Sequence, residues 1–211
     1  MQNVDFWENL YVAENTPWDL AGPSPHFVAL LHQKPDFLKP GTMAVTGSGR
    51  GHDAALFGQA GFEVTGFDYA PAAVKLAAQL YGGLARFEMA DIFELPSSSG
   101  SNALVFDYVL EHTCFCAIPV ERRTDYVKTV CHILKPGGYL IGVFWEHDQA
   151  DGPPFSTTEA HLRQFFEADF EWISQEEKAP VAGRSGVERL VVLRRKMDVC
   201  ASKSPMNPEI Q

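Results

Sequence analysis

Short apolar runs and helical stripes take turns along this chain. "TMAVTG" (42–47) is a short β-rich run. "HDAALFGQAG" (52–61) follows with helical spacing and a closing glycine that reads as a C-cap. "FEVTGFD" (62–68), "LARFEMAD" (84–91), "NALVFDYVLE" (102–111) and "YLIGVFW" (139–145) predict further strands. Between them, "APAAVKLAAQLYGG" (70–83) has proline near its first turn and glycines beyond its end, which predicts a helix. "PVERRTDYVKTVCHIL" (119–134) is apolar at every third or fourth position, and "KPGG" (135–138) breaks it before the fifth strand. "TTEAHLRQFF" (157–166) predicts another helix, and "FEWISQEE" (170–177) and "VERLVVLRRK" (187–196) predict two closing strands. The "SSSGS" stretch at 97–101 reads as a loop.

Strands that alternate with helices imply a mostly parallel, doubly wound α/β sheet covered on both faces, and the last two strands imply an antiparallel hairpin at its end. Residues 1–40 are helical and aromatic-rich and fall outside the alternation, so they are expected to form a cap on a single domain of residues 1–197. The tail "ASKSPMNPEIQ" lacks periodicity, and residues 198–211 are expected to add nothing to the core.

Composition narrows the function. A chain of 211 residues with 45% hydrophobic content supports one substantial core. The formal net charge of −10 opposes binding to nucleic acid or an anionic membrane and suits a small-molecule ligand. The start "MQNVDFWENL" does not read as a secretory signal, and the longest strongly apolar run is far short of the roughly 20 residues that span a bilayer. A cytoplasmic protein is expected. Cys114, Cys116, Cys131 and Cys200 read as free thiols, and the "CFC" pair lacks a second ligand pair at zinc spacing, so no metal is expected.

The chemistry gathers at the glycine turn. In an open α/β sheet, ligands sit beyond the carboxyl ends of the strands. Gly47, Gly49 and Gly51 follow the first strand as G-x-G-x-G. The dinucleotide fingerprint needs its third glycine at position 52, which is His52, so a nicotinamide-dependent oxidoreductase fits poorly. The spacing fits S-adenosylmethionine better, because that cofactor brings no phosphate to the turn. Asp68, 17 residues after Gly51, ends the second strand, where an acid can accept from ribose hydroxyls; Tyr69 follows it. Asp91 follows the third strand, where it can accept from an adenine amino group while Ile92 and Phe93 flank the ring. Taken singly, each acid also reads as a polar strand end; the order of turn, acid and acid is what points to a cofactor.

Four stretches make the chain resemble the thiopurine S-methyltransferase family, including its plant and bacterial thiol and halide methyltransferase branch: "FWENLYVAENTPWDLAGPSP" (6–25), "GSGRGHDA" (47–54), "EHTCFCAIPVERRTDYV" (111–127), and "LKPGGYLIGVFW" (134–145) followed by "DGPPF" (151–155). "VAGRSGVERLVVLRR" (181–195) looks like the family's last strands. The resemblance implies a class I methyltransferase fold with a seven-stranded sheet and S-adenosylmethionine as methyl donor, S-adenosylhomocysteine being the product. It also implies an aromatic N-terminal segment folded over the cofactor, here Trp7, Tyr11 and Trp18. Ring faces attract a sulfonium cation by roughly 0.5–2 kcal/mol; simple packing of this leader on the core is the other reading. Thr46 and Ser48 stand where the family often has a Pro-x-Cys step, but contact there is through backbone, so cofactor binding is expected to survive.

In-line methyl transfer needs alignment and exclusion of water more than a covalent catalyst. The acceptor is then a small soft nucleophile: a thiol, sulfide or methanethiol, or a halide. Thiopurines or other aromatic thiols, and selenium or tellurium species, are alternatives within the class, and a non-catalytic S-adenosylmethionine-binding module is one outside it. The absence of an "NPPY" or "DPPY" step after strand four speaks against a nucleic-acid methyltransferase. Glu111 and His112 end the fourth strand; Glu111 is expected at the cofactor, and His112 either steers or deprotonates the acceptor or serves as a hydrogen-bonded structural residue. Phe115, Cys116, Trp145, His147, Pro154 and Phe155 are expected pocket walls, with Cys114 and Cys116 packing rather than acting as nucleophiles. Arg184 either places a positive charge near an anionic acceptor or is a solvated loop residue. His52 and Asp53 read as the start of a helix, the acid suiting its dipole. A monomer suffices for such a site.

Overall fold

The protein, seen in a computed structural model, is described over residues 4–95, 105–181 and 183–197. The expected loop at 97–101, the first residues of the fourth predicted strand, Cys200 and the tail lie outside the described residues. Seven strands form one sheet: β1 (Thr42–Thr46), β2 (Glu63–Asp68), β3 (Arg86–Met89), β4 (Phe106–His112), β5 (Leu134–Glu146), β6 (Phe170–Lys178) and β7 (Val187–Arg195). Their spatial order is β3-β2-β1-β4-β5-β7-β6. The first five run parallel, and β7 pairs antiparallel with both β5 and β6. This is the predicted doubly wound sheet with its closing hairpin. β1 sits at the switch point: the chain leaves it towards β2 and β3 on one side and returns to β4 on the other.

Burial follows position in the sheet. Met43, Ala44 and Val45 of β1 are all buried because strands cover both edges and helices both faces. Edge strand β3 is mostly exposed and tolerates "RFEM". α1 (Val4–Val12) and α2 (Pro25–Gln33) come from the leader, followed by α3 (His52–Gln59), α4 (Pro71–Tyr81), α5 (Arg123–Ile133) and α6 (Glu159–Phe166). One face of the sheet carries a core in which Tyr126 and Val130 of α5 meet Phe166 of α6. The other joins Phe27 of α2 to Phe57 of α3. α4 starts with proline, and its buried residues are the alanines Ala73 and Ala77, one helical turn apart; Ala70 and Ala73 let Tyr11, Trp7 and Trp18 of the leader pack closely against it, while Ala77 faces Gly51.

Two boundaries differ from the sequence reading. The long helix is preceded by a single 3₁₀ turn over Val120–Arg122, so the α-helix begins at Arg123 instead of Pro119. "KPGG" stands inside β5, not before it: Leu134 already pairs with Phe106, and an irregularity between Phe106 and Tyr108 absorbs the extra residues before Tyr139 pairs with Tyr108.

Candidate active site

A cavity of about 570 Å³ lies where the carboxyl ends of β1, β2 and β4 meet the leader. From β1, the glycine turn and the next two strand ends, Gly47, Ser48, Gly49, Asp68, Tyr69, Asp91, Ile92 and Phe93 line it, and the leader adds Trp7, Tyr11 and Trp18. From the β4 and β5 side come His112, Cys116, Trp145, Pro154 and Arg184. Positions spread over most of the chain thus meet at one opening.

The cofactor side is built from backbone and one carboxylate. Asp68 is 8% exposed. Its Oδ2 accepts the Gly49 amide at 2.8 Å and its Oδ1 the Ala70 amide at 2.9 Å, which holds the turn against β2. Burial raises the Asp68 pKa, and those amides oppose the shift. Gly49 has φ +55°, and a Cβ there would stand 3.0 Å from the Tyr11 hydroxyl, so the turn takes a residue without a side chain. Asp91 caps the 3₁₀ turn Ile92–Glu94, its Oδ1 accepting the Phe93 amide at 2.9 Å. Trp18 donates from Nε1 to the Tyr11 hydroxyl at 3.3 Å, and Trp7 meets Trp18 edge-on with ring centres 5.5 Å apart. Burial and the nearby Asp68 push the Tyr11 phenol up, so it stays neutral. Ser48 Oγ is buried and has no hydrogen-bond partner among the described residues. A glycine cradle, a buried carboxylate and an aromatic cover fit an adenosyl sulfonium cofactor.

Five predicted residues take other places. Gly51 caps α3 with φ +83°, and a Cβ there would stand 2.6 Å from the Phe87 ring, so it serves packing under the turn. Glu111 is fully buried: its Oε1 accepts the Phe115 amide at 2.9 Å and its Oε2 the Tyr126 hydroxyl at 2.6 Å. Burial raises the Glu111 pKa and pushes Tyr126 well up. Glu111 therefore anchors the loop after β4 from beneath. Phe115 is wholly buried against Tyr126, Phe144 and Phe166. His147 packs against Trp145 at 4.4 Å between ring centres, the two rings tilted by 50°, and supports that wall instead of lining the cavity; burial lowers its pKa. Phe155 lies against Gly152, and its amide donates to the Cys116 carbonyl at 2.6 Å, which fastens the proline loop.

Side chains whose partners lie far away in sequence complete the picture. Arg50 pairs with Asp19 at 2.9 Å, and His52 bridges Asp19 at 3.1 Å and the Tyr81 hydroxyl at 2.8 Å. Asp53 accepts the Ser24 amide at 2.7 Å and faces His112 Nδ1 at 2.7 Å. The start of α3 thus ties the leader to the cavity. The signal available was a helix opening with Arg50, His52 and Asp53 in nearly consecutive positions. Their partners at 19, 24, 81 and 112 are too distant in sequence to be read. Arg184 is not a solvated loop residue: its side chain is 9% exposed, and it bonds Glu188 at 3.0 Å and the Trp18 carbonyl at 3.2 Å. Glu188 in turn meets His26 of α2 at 2.7 Å. Burial pushes Cys116 up to about 12 and Cys114 well up, so both thiols are protonated and poor nucleophiles.

The family model for thiopurine S-methyltransferase (TPMT) matches residues 2–199. The chain belongs to the thiopurine S-methyltransferase family. It is accordingly an S-adenosylmethionine-dependent methyltransferase. It is 28% identical over 187 residues to thiocyanate methyltransferase 1 of Arabidopsis thaliana, covering 87% of this chain and 82% of the relative. It is 26% identical over 181 residues to the thiopurine S-methyltransferase of Vibrio atlanticus (strain LGP32), covering 79% and 82%. Its fold matches the S-adenosylhomocysteine-bound 1,6-didemethyltoxoflavin-N1-methyltransferase of Burkholderia thailandensis with a TM-score of 0.71 at 22% identity, covering 92% and 87%. The class I fold that the sequence resemblance implied is the fold this family member has.

Proposed function

We propose that this thiopurine S-methyltransferase family member methylates a small soft nucleophile, a thiol or sulfide first, with thiocyanate and heavy halides in the same class. When bound, S-adenosylmethionine supplies an electrophilic methyl carbon whose bond to sulfur breaks with the electron pair returning to that sulfur. Everything else falls to the chain. Asp68 and the turn at Gly47–Gly49 hold the ribose and methionine parts, Asp91 with Ile92 and Phe93 takes the adenine, and Trp7, Tyr11 and Trp18 cover the sulfonium. On the other side, Cys116, Trp145 and Pro154 wall a short acceptor space, and His112 steers or deprotonates what enters it.

The observation that carries the reading is the continuity of a single cavity of about 570 Å³ from Asp68 to Trp145. It falls mid-range for pockets that enclose one drug-sized ligand, so a nucleoside cofactor leaves space for little more than a small acceptor. Arg184, though paired with Glu188, brings its guanidinium 5.2 Å from the Trp145 ring centre at the same wall, and a positive group there favours an anionic acceptor. The neutral thiols of Cys114 and Cys116 keep the protein's own sulfur from competing for the methyl group.

The reading includes one domain over residues 1–197 with residues 1–40 as its cap, a monomer, and a cytoplasmic location. None of the described helices is long and apolar enough to cross a membrane. The test is turnover by purified protein with S-adenosylmethionine and separate acceptors: sulfide, methanethiol, thiocyanate, iodide, bromide, reduced selenite or tellurite, and an aromatic thiol. S-adenosylhomocysteine and headspace gas are both quantified. Methylated sulfur products in excess support the reading. Preference for the aromatic thiol overturns the small-acceptor part, and no turnover with cofactor binding intact overturns the acceptor class.

A further inference from the structure

Asp53 lies in the first turn of α3, and His112 ends β4, 59 residues later in the chain. Their side chains meet at 2.7 Å between Oδ2 and Nδ1, with side-chain exposures of 13% and 12%. A carboxylate only accepts hydrogen bonds, so this contact requires the hydrogen of the imidazole on Nδ1. The other carboxylate oxygen is engaged as well, since Oδ1 accepts the Ser24 amide at 2.7 Å from the start of α2. The Phe27 ring meets the imidazole edge-on with centres 5.7 Å apart, which limits ring rotation. Nε2 is shielded from solvent and has no hydrogen-bond partner among the described residues. A buried polar atom without a partner costs free energy unless a ligand completes it, and His112 lines the cavity.

We propose that Asp53 is a positioning residue that fixes His112 as the Nδ1–H tautomer and leaves Nε2 as the proton acceptor for a neutral thiol or hydrogen sulfide. The inference rests on His112 acting on the acceptor, as proposed above, and adds what prepares it for that role. The step balances simply. The acceptor's S–H bond breaks, its proton goes to Nε2, and the electron pair left on sulfur forms the new bond to the methyl carbon. The resulting imidazolium carries its charge beside the Asp53 carboxylate. An acceptor that is already an anion, such as thiocyanate or iodide, needs none of this. Glu111 is buried beside His112 on β4, and the charged or titratable groups around the same cavity are Tyr11, Asp19, Arg50, His52, Asp68, Tyr69, Asp91, Cys114, Cys116 and Arg184. Because Ser24 belongs to the leader, ordering of the leader and alignment of the histidine are joined through one carboxylate.

Asp53→Asn tests this with nearly the same shape. The amide keeps an oxygen for Ser24 and turns its NH₂ to Nδ1, which forces the hydrogen onto Nε2. Two readouts follow. ¹⁵N chemical shifts of the His112 ring, measured without cofactor, are expected to show a protonated Nδ1 in the native protein and a protonated Nε2 in the variant. The ratio of methanethiol to thiocyanate turnover is expected to fall at least about tenfold near neutral pH, since a positioned base contributes roughly 10²–10⁴-fold. That deficit shrinks as pH rises and the thiol ionises in water. His112→Gln is expected to lower the ratio as much, and the double variant no further. A native His112 protonated on Nε2, or a variant whose tautomer and acceptor ratio are unchanged, overturns the proposal. Should Asp53→Asn fail to fold, the native spectrum still decides the tautomer. A native protein that turns over no acceptor refutes the function proposed above, and the spectra then judge the positioning by themselves.

Discussion

Two carboxylates flank the central strand and do opposite work. Asp68 ends β2 and Glu111 lies at the end of β4, one on either side of β1. Both are buried, both have raised pKa values because burial disfavours their charge, and both accept backbone amides. Asp68 opens onto the cavity, whereas Glu111 is sealed beneath Phe115 and Tyr126. A strand end with an acid is therefore not in itself a ligand site. What separates the two is what covers them: Asp68 and Tyr69 line the cavity, whereas the segment after β4 lays the buried Phe115 over Glu111 and fastens its amide to that carboxylate.

The largest expected effect sharpens that difference from the structural side. Glu111→Ala takes one of two partners from the buried Tyr126 hydroxyl, which keeps Thr46 Oγ1 at 3.0 Å, and strips the partner of the buried Phe115 amide, at roughly 1–3 kcal/mol each. It is expected to destabilise the fold by about 3–4 kcal/mol in chemical unfolding, while S-adenosylhomocysteine affinity of the folded protein stays within about threefold. The mirror experiment is Asp68→Ala: cofactor affinity by calorimetry is expected to drop at least about 100-fold, or about 2.7 kcal/mol, since charge-assisted hydrogen bonds contribute about 1.5–3 kcal/mol each. If Glu111→Ala weakens cofactor binding as much as Asp68→Ala does, the contrast between the two acids is wrong.

Acidity offers a second way to divide them. A carboxylate whose folded pKa is raised binds protons more readily in the folded state, so its contribution to stability is full below its ordinary value and is lost as pH rises through the raised one. For Glu111 that ordinary value is 4.5. Between neutral pH and about pH 5, the stability of native protein minus that of Glu111→Gln is expected to increase as pH falls, by at most about 1.4 kcal/mol per pH unit. Parallel curves would count against it. At Asp68 the same acidification is expected to weaken cofactor binding, because the ionised form is the better acceptor for ribose hydroxyls; affinity that is flat over this range would argue against that role. Smallest is the effect of the aromatic cover. Trp18→Ala is expected to lower cofactor affinity by about tenfold, within the roughly 0.5–2 kcal/mol of a cation–π contact. In the native protein, S-adenosylhomocysteine is expected to slow proteolysis of the leader, and equal rates with and without it would sink the idea of a closing cap.

The two sides of the cavity also differed in how far they could be read beforehand. On the β1–β3 side, Gly47, Gly49, Asp68, Asp91, Ile92 and Phe93 all line the cavity, because each lies within four residues of a strand end whose place is set by short-range hydrophobic alternation. On the β4–β5 side the same logic overreached. Phe115, His147 and Phe155 are close in sequence to the true lining residues Cys116, Trp145 and Pro154, but side chains one or two positions apart point into different surroundings, and a loop carries no periodicity to say which.

The sequence by itself settled the class of this protein: alternating strands and helices, a glycine turn of the wrong spacing for a dinucleotide, acids after the second and third strands, and family stretches that the match over residues 2–199 bears out. Those features are local, and local backbone geometry and hydrophobic period impose them wherever the chain goes. Only the tertiary structure decided that Asp53 meets His112, that Arg184 is held by Glu188 and the leader, and that Glu111 turns inward. Those pairings join positions up to 166 residues apart. They depend on how seven strands order themselves and on which faces the helices cover, and no short stretch of sequence encodes either.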